Sequence, residues 1–190
     1  MTNRGASSGG EIAGADSVLA FWRALGHDKW FSRDDAVDAE IRHRFLLAYE
    51  AASAGSLGEW EDTAPSALAL LIVLDQFPRN MFRDSARAFA ADLQAREVAE
   101  RAVARGFDRQ VAPSERGFFY LPFMHSESLA DQERCVALYE AADDANGLKF
   151  ALIHADIIRR FARFPHRNAT LGRETTADEQ AFLAGGGFAG

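Results

Sequence analysis

The sequence predicts an all-α fold of seven or eight helices in antiparallel hairpins. Three observations carry that expectation. Apolar residues recur at helical spacing in one segment after another. Cap and stop residues bracket those segments. No stretch alternates apolar and polar residues with period two between turn residues, so no strand is expected. No strict repeat of fixed length is visible either.

Composition narrows the function classes. The chain has 190 residues, 48% of them hydrophobic, with fifteen Phe and three Trp. That suits one domain with a sizeable core. The net charge of −7 argues against a nucleic-acid surface, which needs a broad basic face. Cys135 is the single cysteine, so no intrachain disulfide can form. The longest apolar run, Ala67 to Leu74, is too short to span a bilayer, and with no hydrophobic run after Arg4 no signal peptide is expected. A soluble cytoplasmic protein is the expectation.

Residues 1–14, rich in Gly and Ser, read as a disordered tail, residues 15–184 as one helical domain, and residues 185–190 as a flexible Gly-rich end. Asp16 or Ser17 can cap a first helix that Gly26 stops. Ser32, with Asp35 three residues on, can cap a second, whose core side is Val37, Ile41, Phe45 and Ala48. Leu57 and Trp60 read as a plug in the next connection. Thr63 and Pro65 open a third helix that is apolar all round, the mark of a central helix, and Pro78 is expected to end it. A fourth starts near Asp84 or Ser85, with Phe89, Leu93 and Val98 inward. A fifth runs from Ser114 to about His125 and is kinked at Pro122. Ser128 and Asp131 cap the sixth, the seventh spans roughly Leu148 to Phe164 and is closed by Pro165, and Thr176 with Glu179 opens the last.

Positive charge gathers late in this acidic chain. Residues 156–175 hold five Arg against Asp156 and Glu174. On the seventh helix, 100° per residue puts His154 among Phe150, Ile153, Ile157 and Phe161, with Arg159, Arg160 and Arg163 opposite. Asp75 shares the apolar face of Leu68, Leu71 and Ile72 at a helix C-terminus, where the dipole disfavours an anion, so it needs an Arg partner. His125 also leans inward, and Arg116 with Tyr120 forms an i,i+4 polar pair. Phe77-Pro78-Arg79-Asn80 is echoed by Phe164-Pro165-His166-Arg167-Asn168.

Other chemistries find little support. His125 with Glu127, and His154 with Asp156, stand two apart and so point to different sides of a helix, which argues against a metal. Cys135 has no His beside it in sequence, and no Gly-rich phosphate loop or other cofactor motif is present.

Three blocks carry a resemblance. They are Leu74-Asp-Gln-Phe-Pro-Arg-Asn-Met-Phe-Arg83, Arg116-Gly-Phe-Phe-Tyr-Leu-Pro-Phe-Met-His-Ser-Glu127 and Arg160-Phe-Ala-Arg-Phe-Pro-His-Arg-Asn168 with Leu171-Gly-Arg-Glu174. Together with Phe21-Trp22 and Trp30-Phe31 they resemble the mostly bacterial domain of unknown function 924, over about residues 17–184. The resemblance implies a helical fold similar to tetratricopeptide-repeat proteins and no activity. Ala162 stands where that pattern leads one to expect Gly.

The first reading of function is a pocket for a small anionic metabolite, lined by Arg79, Arg160, Arg163, His166 and Arg167. Asp75, Asn80, Arg116, Tyr120, His125, Glu127, His154, Asn168 and Arg173 would support it. The alternatives are a helical scaffold for a peptide or protein partner, and a polar network that only locks the fold. No cofactor is called for, and the oligomeric state is left open.

Overall fold

The computed structural model describes residues 11–188, and among them every regular element is helical. The expected tails fall largely at or beyond these limits: residues 1–10 and 189–190 lie outside the described part.

α1 (Ala15–Leu25) and the single turn α2 (His27–Trp30) join at Gly26, whose φ of 77° is open to glycine. α3 (Asp35–Ser53) is capped by Asp34, which accepts from the Ala36 and Val37 amides. Ser32 was the expected cap. Asp34 takes that place because it immediately precedes the first helical residue, in extended backbone. Leu57 and Trp60 plug the connection, both buried. α4 (Ala64–Leu71) has Thr63 as its cap and is central: Ala67, Leu68, Ala69, Leu70 and Leu71 are all buried, against α1 and α6 (Asp92–Ala104).

The helix does not end at Pro78. It widens into a π turn at Ile72–Gln76, in which the Phe77 amide donates to the Ile72 carbonyl, and continues as α5 (Phe77–Met81). Pro78 then sits in the first turn of the new segment, where its missing N–H breaks no ladder. Ser85 caps only a 3-10 turn, Ala86–Phe89, and α6 begins later, at Asp92. Leu93, expected inward, is 65% exposed.

The expected fifth helix is divided into α7 (Pro113–Arg116), a 3-10 turn and α8 (Leu121–Met124), because Gly117 and Pro122 interrupt it. Such divisions give more helical segments than the seven or eight expected. α9 (Leu129–Ala141) and α10 (Ala145–Phe161) form the most extensively packed helix pair, joined by a short turn. α10 begins earlier than expected because Asp144 caps it, and it ends at Phe161 because Ala162 turns left-handed, φ 57°. α11 (Ala177–Ala184) carries the full Thr176–Glu179 capping box.

Two apolar clusters result. The large one is built on Trp22, Phe45, Phe77, Phe119 and Phe123, each fully buried and worth about 1.5–3 kcal/mol relative to exposure. The small one gathers Ile157, Ile158 and Phe164 with Phe161, Phe182 and Phe188. No helix is long and apolar enough to cross a membrane, among the described residues.

Candidate functional site

The site is built outward from Asp75, which is 1% exposed. Burial pushes its carboxyl up, but Arg79, His125 and Gln76 overrule that and hold it well below the usual carboxylate range. Oδ1 accepts from His125 Nδ1 at 2.8 Å and lies 3.2 Å from Arg79 Nη1, while Oδ2 accepts from Gln76 Nε2 at 2.5 Å. Arg79 follows Asp75 by four residues, so the helix itself delivers the pair. Since the ionised carboxylate accepts, Nδ1 of His125 carries the proton and Nε2 is left basic. Burial, then Arg79, keeps the His125 pKa below its ordinary value.

Arg79 also reaches a second carboxylate. Its Nη2 is 3.0 and 3.1 Å from the two oxygens of Asp92, at the start of α6. Arg167 approaches the same group from the turn after α10, with Nη1 3.5 Å from Oδ2. Both guanidiniums lie over the Phe89 ring, at 5.8 and 4.6 Å, and Arg167 lies 4.5 Å from the Phe164 ring as well. The two echoed segments therefore meet on one carboxylate. Arg167 is 7% exposed, and its Nε has no acceptor among the described residues. Burial, then Arg79, lowers its pKa to about 10.

Two more histidines flank this group. His154 Nδ1–H donates to the Phe150 carbonyl at 2.8 Å, the i−4 position, and its ring packs on Phe164 and Phe188. His154 thus finds its partner in the backbone of its own helix. His166 also packs on Phe164 and Phe188, but its buried Nδ1 has no partner among the described residues. Burial, then Arg167, brings His166 down to about 4.

The rest of the expected Arg/His set is dispersed. Arg163 forks onto Glu179, at 2.6 and 2.9 Å. Arg160 is exposed, 4.0 Å from Asp156 and over the Phe161 and Phe182 rings, beside a shallow hollow of about 500 Å³. Arg173 forks onto Glu127, which also accepts the Phe164 amide. Asn80 donates to Asp38, and Asn168 donates to Glu179 and Thr175. Arg116 and Tyr120 do not pair. Both turn to Asp108, Arg116 to its carbonyl and Tyr120 to its carboxylate, because the 3-10 turn between them breaks the i,i+4 register.

Asp92 was not foreseen. An acid in a first helical turn is ordinary and gives no signal of the two Arg it will hold. Phe150 and Ile153, assigned inward with His154, are 41% and 36% exposed. Burial pushes the Cys135 thiol up to about 12, so it stays protonated and inert. Among the described residues no group of three His, Cys, Asp or Glu is arranged to hold a metal ion.

A family model described as "Bacterial protein of unknown function (DUF924)" matches residues 18–187. A solved structure, a protein of unknown function (ATU0120) from Agrobacterium tumefaciens, is similar with a TM-score of 0.86 at 45% identity. The match covers 89% of this chain and 96% of that one. A search of curated proteins gave no match.

Proposed function

The chain belongs to the DUF924 family of bacterial proteins of unknown function, and we propose that it binds a small anionic ligand at Arg79, His125, His166 and Arg167. One observation carries this reading. The Arg167 side chain is buried with a single ionic contact, at 3.5 Å, and its guanidinium donates no hydrogen bond among the described residues. A guanidinium has five donors, and buried polar groups are normally paired. An oxyanion seated against Arg167 and Arg79 supplies the missing acceptors, and planar forks match such anions well. Arg160 and Arg163 stand outside this site, engaged with Asp156 and Glu179.

The experiment is thermal unfolding with sulfate, phosphate and small carboxylates against sodium chloride at equal ionic strength. A ligand at a hundred times its dissociation constant adds about 2.7 kcal/mol, or roughly 5–10 °C here. Arg167→Met removes the shift, and Arg101→Ala, on a surface pair with Glu61, keeps it. No shift with any anion would end the reading.

A second reading has its own observation. Phe150, Leu152 and Ile153 expose apolar surface on α10, as a helical scaffold of tetratricopeptide-like packing would for a peptide or protein partner. Replacing all three by Ser would weaken such a partner's binding and leave the sulfate response intact.

A further inference from the structure

We infer that the site takes up its oxyanion together with a proton, which is held on His125 Nε2. The inference rests on the anion-binding reading above and adds the ligand class, a compact dianionic oxyanion of the sulfate or phosphate kind. The argument is one of charge. Asp75 and Asp92 are matched by Arg79 and Arg167, and the neutral His125 and His166 add nothing. An arriving anion would leave that buried group uncompensated, and an uncompensated buried charge is strongly unfavourable.

His125 is the group placed to offset one of the dianion's two charges. Asp75 fixes its Nδ1–H, so the incoming proton must go to Nε2, and the resulting imidazolium is held between the Asp75 carboxylate and the bound anion. The charged and titratable groups around it come from every neighbouring element. Asp75 lies in the π turn, Arg79 on α5, Asp92 on α6, and His166 and Arg167 on the turn after α10. Glu127, two residues after His125, is already neutralised by Arg173. Empty, the site keeps His125 below its ordinary pKa, through burial and then Arg79. The bound dianion raises that pKa. Binding therefore strengthens as pH falls from the bound-state pKa toward the free-state one.

Calorimetric titration with sodium sulfate tests this, in pairs of buffers that differ in ionisation enthalpy. Sulfate remains a dianion between about pH 6 and pH 8, so any proton taken up goes to the protein. The expected result is uptake of about one proton per sulfate, with affinity falling about tenfold per pH unit, roughly a hundredfold over that range. His125→Gln binds more weakly, with heats that no longer depend on the buffer, whereas His43→Gln, at an exposed position on α3, retains the uptake. Sulfate binding that is equally tight across the range, with no buffer-dependent heat, would overturn the inference and leave the anion site standing. No sulfate binding at any pH would remove both.

Discussion

Phe77-Pro78-Arg79-Asn80 and Phe164-Pro165-His166-Arg167-Asn168 share four residue types in order, the second with His166 inserted, and part ways in backbone. At the first, the π turn lets the chain stay helical through Pro78, so Arg79 is delivered by register, four residues after Asp75. At the second, Ala162 turns left-handed and the chain leaves the helix before Pro165, so Arg167 is delivered by a loop. Both arginines nevertheless arrive at Asp92. Their asparagines do not converge: Asn80 goes to Asp38, and Asn168 to Glu179. The difference shows that an echoed motif, in the second case with His166 inserted, fixes neither the local conformation nor the partner. What the two segments have in common is the burial of their Phe and the reach of their Arg.

The first segment is the more deeply tied, and the largest effect is expected there. Removing one side of a buried ion pair costs on the order of 3–5 kcal/mol. Asp75→Ala should lower unfolding stability by that amount, while Asp156→Ala, whose side chain is 63% exposed, should change it by less than about 0.5 kcal/mol. Similar urea midpoints for the two variants would refute the central place given to Asp75.

The second segment should reveal itself through pH. His166 is held neutral by burial, then by Arg167, with its pKa near 4. In the unfolded chain an imidazole protonates near 6.5. The unfolded state therefore binds the proton first, and stability falls as pH drops from about 6.5 to about 4. Urea unfolding at neutral and mildly acidic pH should show the loss, and His166→Phe should make it shallower. A variant with an unchanged pH profile would assign the effect elsewhere.

The smallest effect concerns the backbone that separates the segments. A left-handed alanine costs roughly 1–2 kcal/mol, part of which glycine's extra unfolded freedom takes back. Ala162→Gly should stabilise the protein by up to about 1 kcal/mol. Destabilisation would mean that the Ala162 methyl packs better than its φ of 57° implies.

What the sequence made legible was of one physical kind. The apolar period and the caps at Thr63, Ser128 and Thr176 are local signals, and the helices follow them. Asp75 was legible as a buried, paired carboxylate because an acid on an all-apolar face has few other choices. Asp92 was not, since its role depends on two residues 13 and 75 positions away, and nothing in its own neighbourhood is anomalous. The grouping of Arg160 and Arg163 with Arg167 followed from closeness in sequence. In the fold, Glu179 claims Arg163, and the left-handed turn at Ala162 carries Arg167 away from Arg160. The π turn left no trace in the apolar pattern, because every residue from Ile72 to Gln76 is buried whichever way the helix is wound.

The central claim is that Arg79 and Arg167 form one unit through Asp92. A double-mutant cycle on unfolding free energy, with Arg79→Met, Arg167→Met and the pair, tests it most directly. Residues in one ion-pair network couple by about 0.5–3 kcal/mol, whereas independent sites add within about 0.5 kcal/mol. The account predicts a coupling energy within that network range, which disappears when the cycle is repeated in an Asp92→Asn background. Additive losses, with Asp92 intact, would contradict it.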